Sequence, residues 1–398
     1  MSRLDELIAE LCPDGVEYKK LGDVATITRG GSFQKKDYVA SGYPCIHYGQ
    51  IYTLYGLFVN ETAKFISEET AAKQKKASKN DVIMAVTSEN VEDVCKCVAW
   101  LGEGEVAVSG HTAIIHHTLN PKYLVYWLHS SMFYSQKIKL AHGTKVIEVS
   151  PNSLESVVLP VPPLPVQQEI VRILDHFTEL TAELTAELTA RKKQYEYYRD
   201  KLFESLDNCV KVYNMGDVLT FINGRAYKQQ ELLDAGKYPV LRVGNFYTNN
   251  SWYYSDLELS EEKYCDNGDL LYSWAATLGP KIWNGRKCIF HYHIWKIIFD
   301  ETRIDKNYLY YYLQYDLSEI AKSTTQSTMV HVSMDSMKKR KLRIPPIDVQ
   351  RRMAARIKEF DSLFSSVSSG LPAEIAARQK QYEYYRDKLL TFKELPKS

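Results

Sequence analysis

One stretch of twelve residues occurs twice in this chain. RKKQYEYYRDKL fills positions 191–202 and RQKQYEYYRDKL positions 378–389, and the two differ only at Lys192 and Gln379. Eleven identities in twelve, 187 positions apart, are not a chance event, so the chain is an internal duplication. A period of about 185 residues is far too long for a solenoid and is the size of a domain plus a connector.

Both copies predict helix. Leu184, Leu188, Arg191, Tyr195, Tyr198 and Leu202 alternate steps of four and three, as do Ile375, Arg378, Tyr382, Tyr385 and Leu389. That spacing is a seam facing one partner helix. Packing along the seam leaves the other matches unexplained: Glu196, Tyr197, Arg199 and Asp200 recur as Glu383, Tyr384, Arg386 and Asp387. Two equal outer faces predict two equal partners, with Tyr197, Arg199, Tyr384 and Arg386 as the candidate partner-binding residues.

The duplication extends over whole domains. Gly22-Asp23-Val24 matches Gly216-Asp217-Val218, Gly30 matches Gly224, and Tyr43-Pro44 matches Tyr238-Pro239. Asn120-Pro121 and Asp305 open matching helices. Each globular part then ends on a strand entering a Pro-rich hinge, LPVPP at 159–163 and LRIPP at 342–346, where proline ends the ladder and sets the exit angle. The expected order is a first mixed domain over 1–163, a long helix over 164–208, a second mixed domain over 209–346 and a second helix over 347–398. That second helix carries an expected break near 368–372, at Ser-Ser-Gly-Leu-Pro. Inside the first helix TAEL repeats at 181–184 and 185–188, near-whole turns that keep Leu180, Leu184 and Leu188 close to one face.

With 398 residues the chain holds two or three cores. Lys+Arg 50 against Asp+Glu 49 gives no global attraction to nucleic acid or membrane, so any DNA surface must be a local patch. Seven scattered Cys predict a reducing cytosol, the opening MSRLDELIAEL reads as an acidic amphipathic segment and not a signal peptide, and no apolar run predicts a membrane span.

No motif for chemistry is found. There is no phosphate-binding glycine loop, no GxSxG and no glycine-rich methyl-donor loop. The tetrapeptide Asn-Pro-Pro-Tyr/Phe of amino-methyltransferases is also missing. Cys95 and Cys97 with His111, His116 and His117 lack zinc spacing, and Asp14 and Glu17 are too close in sequence to converge from separate strands. The expectation is a non-catalytic chain with no cofactor and no metal.

Basic residues do cluster. Lys73, Lys75, Lys76 and Lys79 form one run; Lys338, Lys339, Arg340, Lys341 and Arg343 form another. Arg29, Lys35 and Lys36 flank Gly30-Gly31, and Arg225 and Lys228 occupy the matching turn. Loops rich in Gly, Ser, Gln, Asn and Arg beside Tyr suit phosphate positioning and base-edge reading. The candidate DNA-binding residues are Arg29, Ser32, Gln34, Lys35, Lys36, Gln50, Arg225, Lys228, Arg242 and Asn245.

The paired RKKQYEYYRDKL and RQKQYEYYRDKL, the TAEL repeats, and VQQEIVRILDHF (166–177) with its counterpart VQRRMAARIKEF (349–360) make this chain resemble the specificity subunits of type I restriction–modification systems. The resemblance covers nearly the full chain. It implies an α+β protein whose two target recognition domains each read half of a split site on double-stranded DNA. The two long helices would pack as an antiparallel coiled coil and dock two methyltransferase subunits, which recruit restriction (motor–nuclease) subunits. Adenine methylation and ATP-dependent cleavage would then belong to the complex. Two alternatives stay open: a specificity chain serving a fused restriction–methylation polypeptide, and a coiled-coil scaffold joining two protein-binding domains without DNA.

Overall fold

In the computed structural model, which describes residues 2–206, 210–247, 249–323, 331–368 and 370–396, the chain divides into two units. Unit 1 is Met1–Ala186 with Pro372–Ser398, and unit 2 is Glu187–Leu371. Counting helices of eight residues or more, these are α1 (Arg3–Leu11), α2 (Pro121–Leu128), α3 (Ser131–Leu140), α4 (Leu164–Glu204), α5 (Lys306–Ser323), α6 (Ile347–Ser368) and α7 (Gly370–Leu389). Residue 369, inside the expected break at 368–372, lies outside the described residues.

Each unit is built on two larger sheets, with two-stranded pairs beside them. In unit 1 one sheet runs in the order Ala25–Arg29, Thr112–His117, Val82–Ala85, Cys97–Trp100, Phe58–Val59. The other runs Tyr38–Val39, Lys64–Ile66, Tyr43–Ile46, Val106–Val108, Lys76–Ala77. In unit 2 the sheets are Leu219–Asn223, Ile294–Phe299, Leu270–Ser273, Gly279–Ile282 and Tyr253–Ser255, Tyr238–Leu241, Cys288–Phe290, Tyr264–Cys265. In both units the second sheet contains a parallel pair at the same place, Val108 beside Ile46 and Phe290 beside Leu241.

The central strand Val82–Ala85 is buried at every residue because both of its faces are covered. Val82 and Met84 point into the helix-side core, while Ile83 and Ala85 point into the core between the sheets. Helix α2 is buried from Tyr123 to Leu128, an all-round apolar helix held between that sheet and the long helices. Each such large apolar side chain contributes about 1.5–3 kcal/mol by leaving water.

The repeated sequence signals do repeated jobs. Asn120 Oδ1 accepts from the N–H groups of Lys122 and Tyr123 at 3.0 and 3.2 Å, and Asp305 Oδ1 does the same for Asn307 and Tyr308. Tyr123 Oη donates to the Pro160 carbonyl at 3.1 Å, and Tyr308 Oη to that of Arg343 at 2.6 Å. Tyrosines thus serve both helix-to-strand bonds and helix-to-helix packing; Phe203 of α4, for example, packs against the rings of Tyr308, Tyr312 and Tyr315 of α5.

Helix α4 lends residues to both units, with the boundary inside the second TAEL. In unit 1 Phe177 stacks on Tyr385 of α7 at 5.4 Å. In unit 2 Tyr195 stacks on Phe364 and Tyr198 on Phe360 of α6, so partner numbers fall as α4 numbers rise and this pair is antiparallel. Among the described residues no helix is long and apolar enough to cross a membrane.

Candidate nucleic-acid interface

In both units a glycine turn leaves the first strand and runs against the end of a neighbouring strand. Gly30 N–H donates to Thr112 O at 3.0 Å and Gly31 N–H to Val108 O at 2.7 Å. In unit 2 Gly224 donates to Ile294 O and Arg225 to Phe290 O, at 3.1 and 3.0 Å. The approach is too close for a side chain: a Cβ on Gly30 would lie 2.0 Å from Ser109 O, and one on Gly224 2.3 Å from the carbonyls of Phe290 and His291. Glycine matches between the halves here because only backbone fits.

The candidate side chains divide by what already holds them. Arg29 donates to Gly110 O at 3.1 Å and to Glu148 at 3.2 Å, yet stays about half exposed. Ser32 is exposed, its N–H held by Gln74 Oε1 at 2.6 Å; Gln34, Lys35 and Lys36 are exposed around a single 3-10 turn closed by Asp37. Arg225 is bound by both oxygens of Glu231 at 3.1 and 2.7 Å and lies over Tyr227. Hydrogen bonding to Arg225, then to the Lys228 backbone, holds the Glu231 carboxyl below its ordinary range. The Lys228 side chain remains exposed.

Gln50 and Asn245 occupy matching places, and each amide is engaged within its own turn. Gln50 Oε1 accepts from His47 N–H at 2.7 Å, and Asn245 Oδ1 accepts from Arg242 N–H at 3.2 Å. Asn245 Nδ2 also donates to the carbonyls of Asn249 and Ser251, at 3.0 and 2.9 Å. Both amide oxygens cap one short turn, and Gln50 Nε2 has only a 3.5 Å contact to Tyr55 Oη.

Arg242 lies 4.3 Å over the Tyr253 ring, and its buried Nε has no partner among the described residues. Its counterpart in unit 1 is His47, whose proton affinity is lowered by burial first and then by Lys35 and His111. Burial, then His293 and Arg242, lower that of His291 to about 4. The structure thus brings Lys35 and His111 to His47, and Arg242 and His293 to His291.

The basic runs are partly consumed inside the fold. Lys73 pairs with Glu69, Lys76 with Glu105 and Lys79 with Glu103. Arg340 pairs with Asp316 at 2.5 Å, Lys341 donates to Asn214, and Arg343 donates to Phe203 O. These last three hold strand Lys341–Ile344 in place. Among the described residues no group of three or more His, Cys, Asp or Glu is placed to hold a metal ion.

The expectation that Arg199 and Arg386 face outward needs correction. Arg199 is 7 % exposed and Arg386 is partly buried, each bonded to the next residue, Asp200 or Asp387. Asp200 also accepts from Ser318 Oγ on α5, and Asp387 from Ser131 N–H at the start of α3. The physical reason is a second stripe of steps of four, Tyr195–Arg199–Phe203 and Tyr382–Arg386–Leu390, which faces the globular part of the same unit. Tyr197 and Tyr384, at 58 % and 62 % exposed, remain outside.

The model of the type I restriction modification DNA specificity domain matches residues 13–191 and again 209–377. A putative type I restriction enzyme specificity subunit of Haemophilus influenzae is 34% identical over 306 residues, 73% of this chain and 77% of that one. The EcoR124I/EcoR124II specificity subunit of Escherichia coli is 31% identical over 290 residues, covering 68% of this chain and 70% of that one. Among solved structures, a chain from work on complex assembly and conformational transition of the type I restriction–modification system superposes with a TM-score of 0.62 at 17% identity. It covers 96% of this chain and 98% of that one, which is similarity of fold.

Proposed function

This chain belongs to the type I restriction–modification DNA specificity family, and from that premise we propose that it reads a split site on duplex DNA, one half with each unit. The observation that carries this reading is the duplicated glycine turn, set by matching backbone hydrogen bonds in units that each have their own sheets and cores. Lys35, Lys36 and Lys228, exposed around these turns, supply phosphate contacts that fix register without carrying sequence. Discrimination then falls to side chains that reach base edges in the grooves.

Two methyltransferase subunits dock on the faces marked by Tyr197 and Tyr384, and restriction subunits join that assembly. The adenine methylation and ATP-dependent cleavage of the complex reside in those partners, and this chain supplies sequence choice and position.

The test is a domain exchange. Residues 20–158 are replaced by the matching segment of another family member, and methylated sites are mapped across a genome in the presence of the methyltransferase. One half-site changes and the other persists. Alteration of both halves would mean that the units share one reading surface. Affinity for DNA carrying the site falls steeply with salt, as phosphate contacts require; salt-independent association would favour a scaffold that does not touch DNA.

A further inference from the structure

Beside each glycine turn lies a second turn, residues 109–111 in unit 1 and 291–293 in unit 2, held on both sides by the same backbone bonds. Ser109 N–H donates to Ile46 O at 3.1 Å, and His291 N–H to Leu241 O at 2.9 Å. On the other side His111 O accepts from Val86 N–H at 3.0 Å, and His293 O from Trp274 N–H at 3.1 Å. The bonds from Gly30 to Thr112 and from Gly224 to Ile294 fix the next residue along. The backbone is thus the same construction twice.

The side chains on it are not. Unit 1 carries Ser109, Gly110 and His111, and unit 2 carries His291, Tyr292 and His293. Only the last position agrees. A constant backbone presenting different side chains is what two readers of different sequences need, since precision comes from the support and choice from the tips. The packing duties are small: His111 is exposed and Tyr292 is 38 % exposed.

The rings are packed against neighbouring rings at steep angles. His111 lies 5.0 Å from Tyr48, His293 lies 3.9 Å from Tyr292, and Trp274 meets His293 edge-on at 5.0 Å. Trp274 Nε1 donates to Tyr292 O at 2.8 Å, a further anchor on the turn in unit 2. A cation lies close to each place: Lys35, like His111, acts on His47 in unit 1, and Arg242 acts on His291 in unit 2. By contrast Arg29 and Arg225 are held by carboxylates, and the amide oxygens of Gln50 and Asn245 serve as caps.

We propose that these turns carry the base-reading side chains: His111 for one half-site, Tyr292 and His293 for the other. This deepens the DNA-recognition reading and rests on it. A neutral imidazole offers one donor and one acceptor, and a phenol both on one oxygen. Such groups can pair with N7, O6, N4 or N6 on purine and pyrimidine edges, while the ring faces meet the thymine methyl. Lys35 and Arg242 hold neighbouring phosphates.

The experiment uses the chain in complex with its methyltransferase. His111→Ala, Tyr292→Ala and His293→Ala are each mapped for methylated sites and titrated with cognate duplex and with duplexes changed at single positions. His111→Ala relaxes discrimination at one or two positions of one half only, and the other two variants relax the other half. The expected loss is about 5- to 150-fold at an affected position, the span of one good base contact. An unchanged motif with unchanged affinity overturns the proposal. A uniform loss on every duplex with the motif intact also overturns it, since that is a phosphate contact. Should an alanine variant methylate nothing, His111→Gln and His293→Gln, which keep a donor and an acceptor, decide. Activity with a shifted motif supports reading, and activity with the original motif overturns it. Wild-type complex that ignored sequence altogether would instead sink the DNA-recognition reading on which this one rests.

Discussion

Gln167 Nε2 donates to the carbonyl of Pro162 at 2.8 Å, five residues back across the proline hinge, while its Oε1 accepts from Asn120 N–H at 2.9 Å. Gln350 does the same in unit 2, donating to Pro345 O at 2.8 Å and accepting from Asp305 N–H at 2.8 Å. Each buried amide therefore ties three parts together: the hinge, the first turn of the helix that leaves it, and the cap of the helix opposite. Proline limits the chain's direction at the hinge, and the glutamine fixes it.

Replacing Gln167 or Gln350 by Leu keeps the volume but strands a buried hinge carbonyl and a part-buried N–H, and at Gln350 the Arg303 carbonyl as well. Each substitution is expected to cost about 1–3 kcal/mol for every stranded group, read as a lower urea midpoint. A midpoint within error of wild type would show that water or another side chain replaces the amide without penalty.

Acid should weaken unit 1 before its carboxylates titrate. Burial lowers the proton affinity of His117 to about 4, with Asp81 opposing, and burial likewise lowers His129 to about 4. Both rings fold neutral, whereas the unfolded chain takes up their protons near the ordinary 6.5. The unfolded state thus binds more protons between 6.5 and 4, and stability present above that window drains away as pH falls through it. The urea midpoint should drop from pH 7.5 to pH 5, and His129→Gln with His117→Gln should flatten the dependence. An equal slope in the double variant would assign it to other groups.

The two exposed tyrosines and the two inward arginines should separate docking from folding. Among the described residues, Tyr197 and Tyr384 have ring-to-ring contacts only with the next residues, Tyr198 at 5.5 Å and Tyr385 at 5.3 Å. Changing both to Ser should alter stability by less than about 0.5 kcal/mol while lowering methyltransferase binding at least tenfold in sedimentation. Arg199→Ala removes the partner of the largely buried Asp200 and should cost about 3 kcal/mol of stability. Arginine variants that fold normally yet lose the partner would return those side chains to the outer face.

What could be read from the sequence is what short-range chemistry dictates. A side chain that caps a helix acts within three residues, so Asn120 and Asp305 were visible, as was the glycine match at Gly30 and Gly224. The hinge prolines likewise announce themselves. The second buried stripe, Tyr195–Arg199–Phe203, was hidden because one helix can bury two faces and the four-three seam accounts for only one. The capping bonds of Gln50 and Asn245 were not legible for a different reason: an amide that caps a turn and an amide that reads a base are the same residue type. The turns at 109–111 and 291–293 carry a signal in the alignment of Ser-Gly-His with His-Tyr-His behind the matched glycines. That signal becomes visible only when the strand register places both turns at one position.

The TAEL repeat gives the sharpest prediction. Leu180, Leu184 and Leu188 are half-buried along α4, while Thr185, Ala186 and Glu187 are exposed, so the repeat presents one packed edge. Each unit adds four residues, about 6 Å of axis, and turns the helix by about 400°, roughly 40° beyond a full turn. The leucine edge is then nearly restored, and an inserted or deleted copy should leave the helix packed. A duplex step is about 3.4 Å, so one copy should change the gap between half-sites by one or at most two base pairs, less if the helix is inclined to the duplex. Deleting residues 185–188, or duplicating them, and mapping methylated sites should return the same two half-sites with an altered non-specific gap. An unchanged gap, or new bases in either half-site, would mean that α4 is not the ruler.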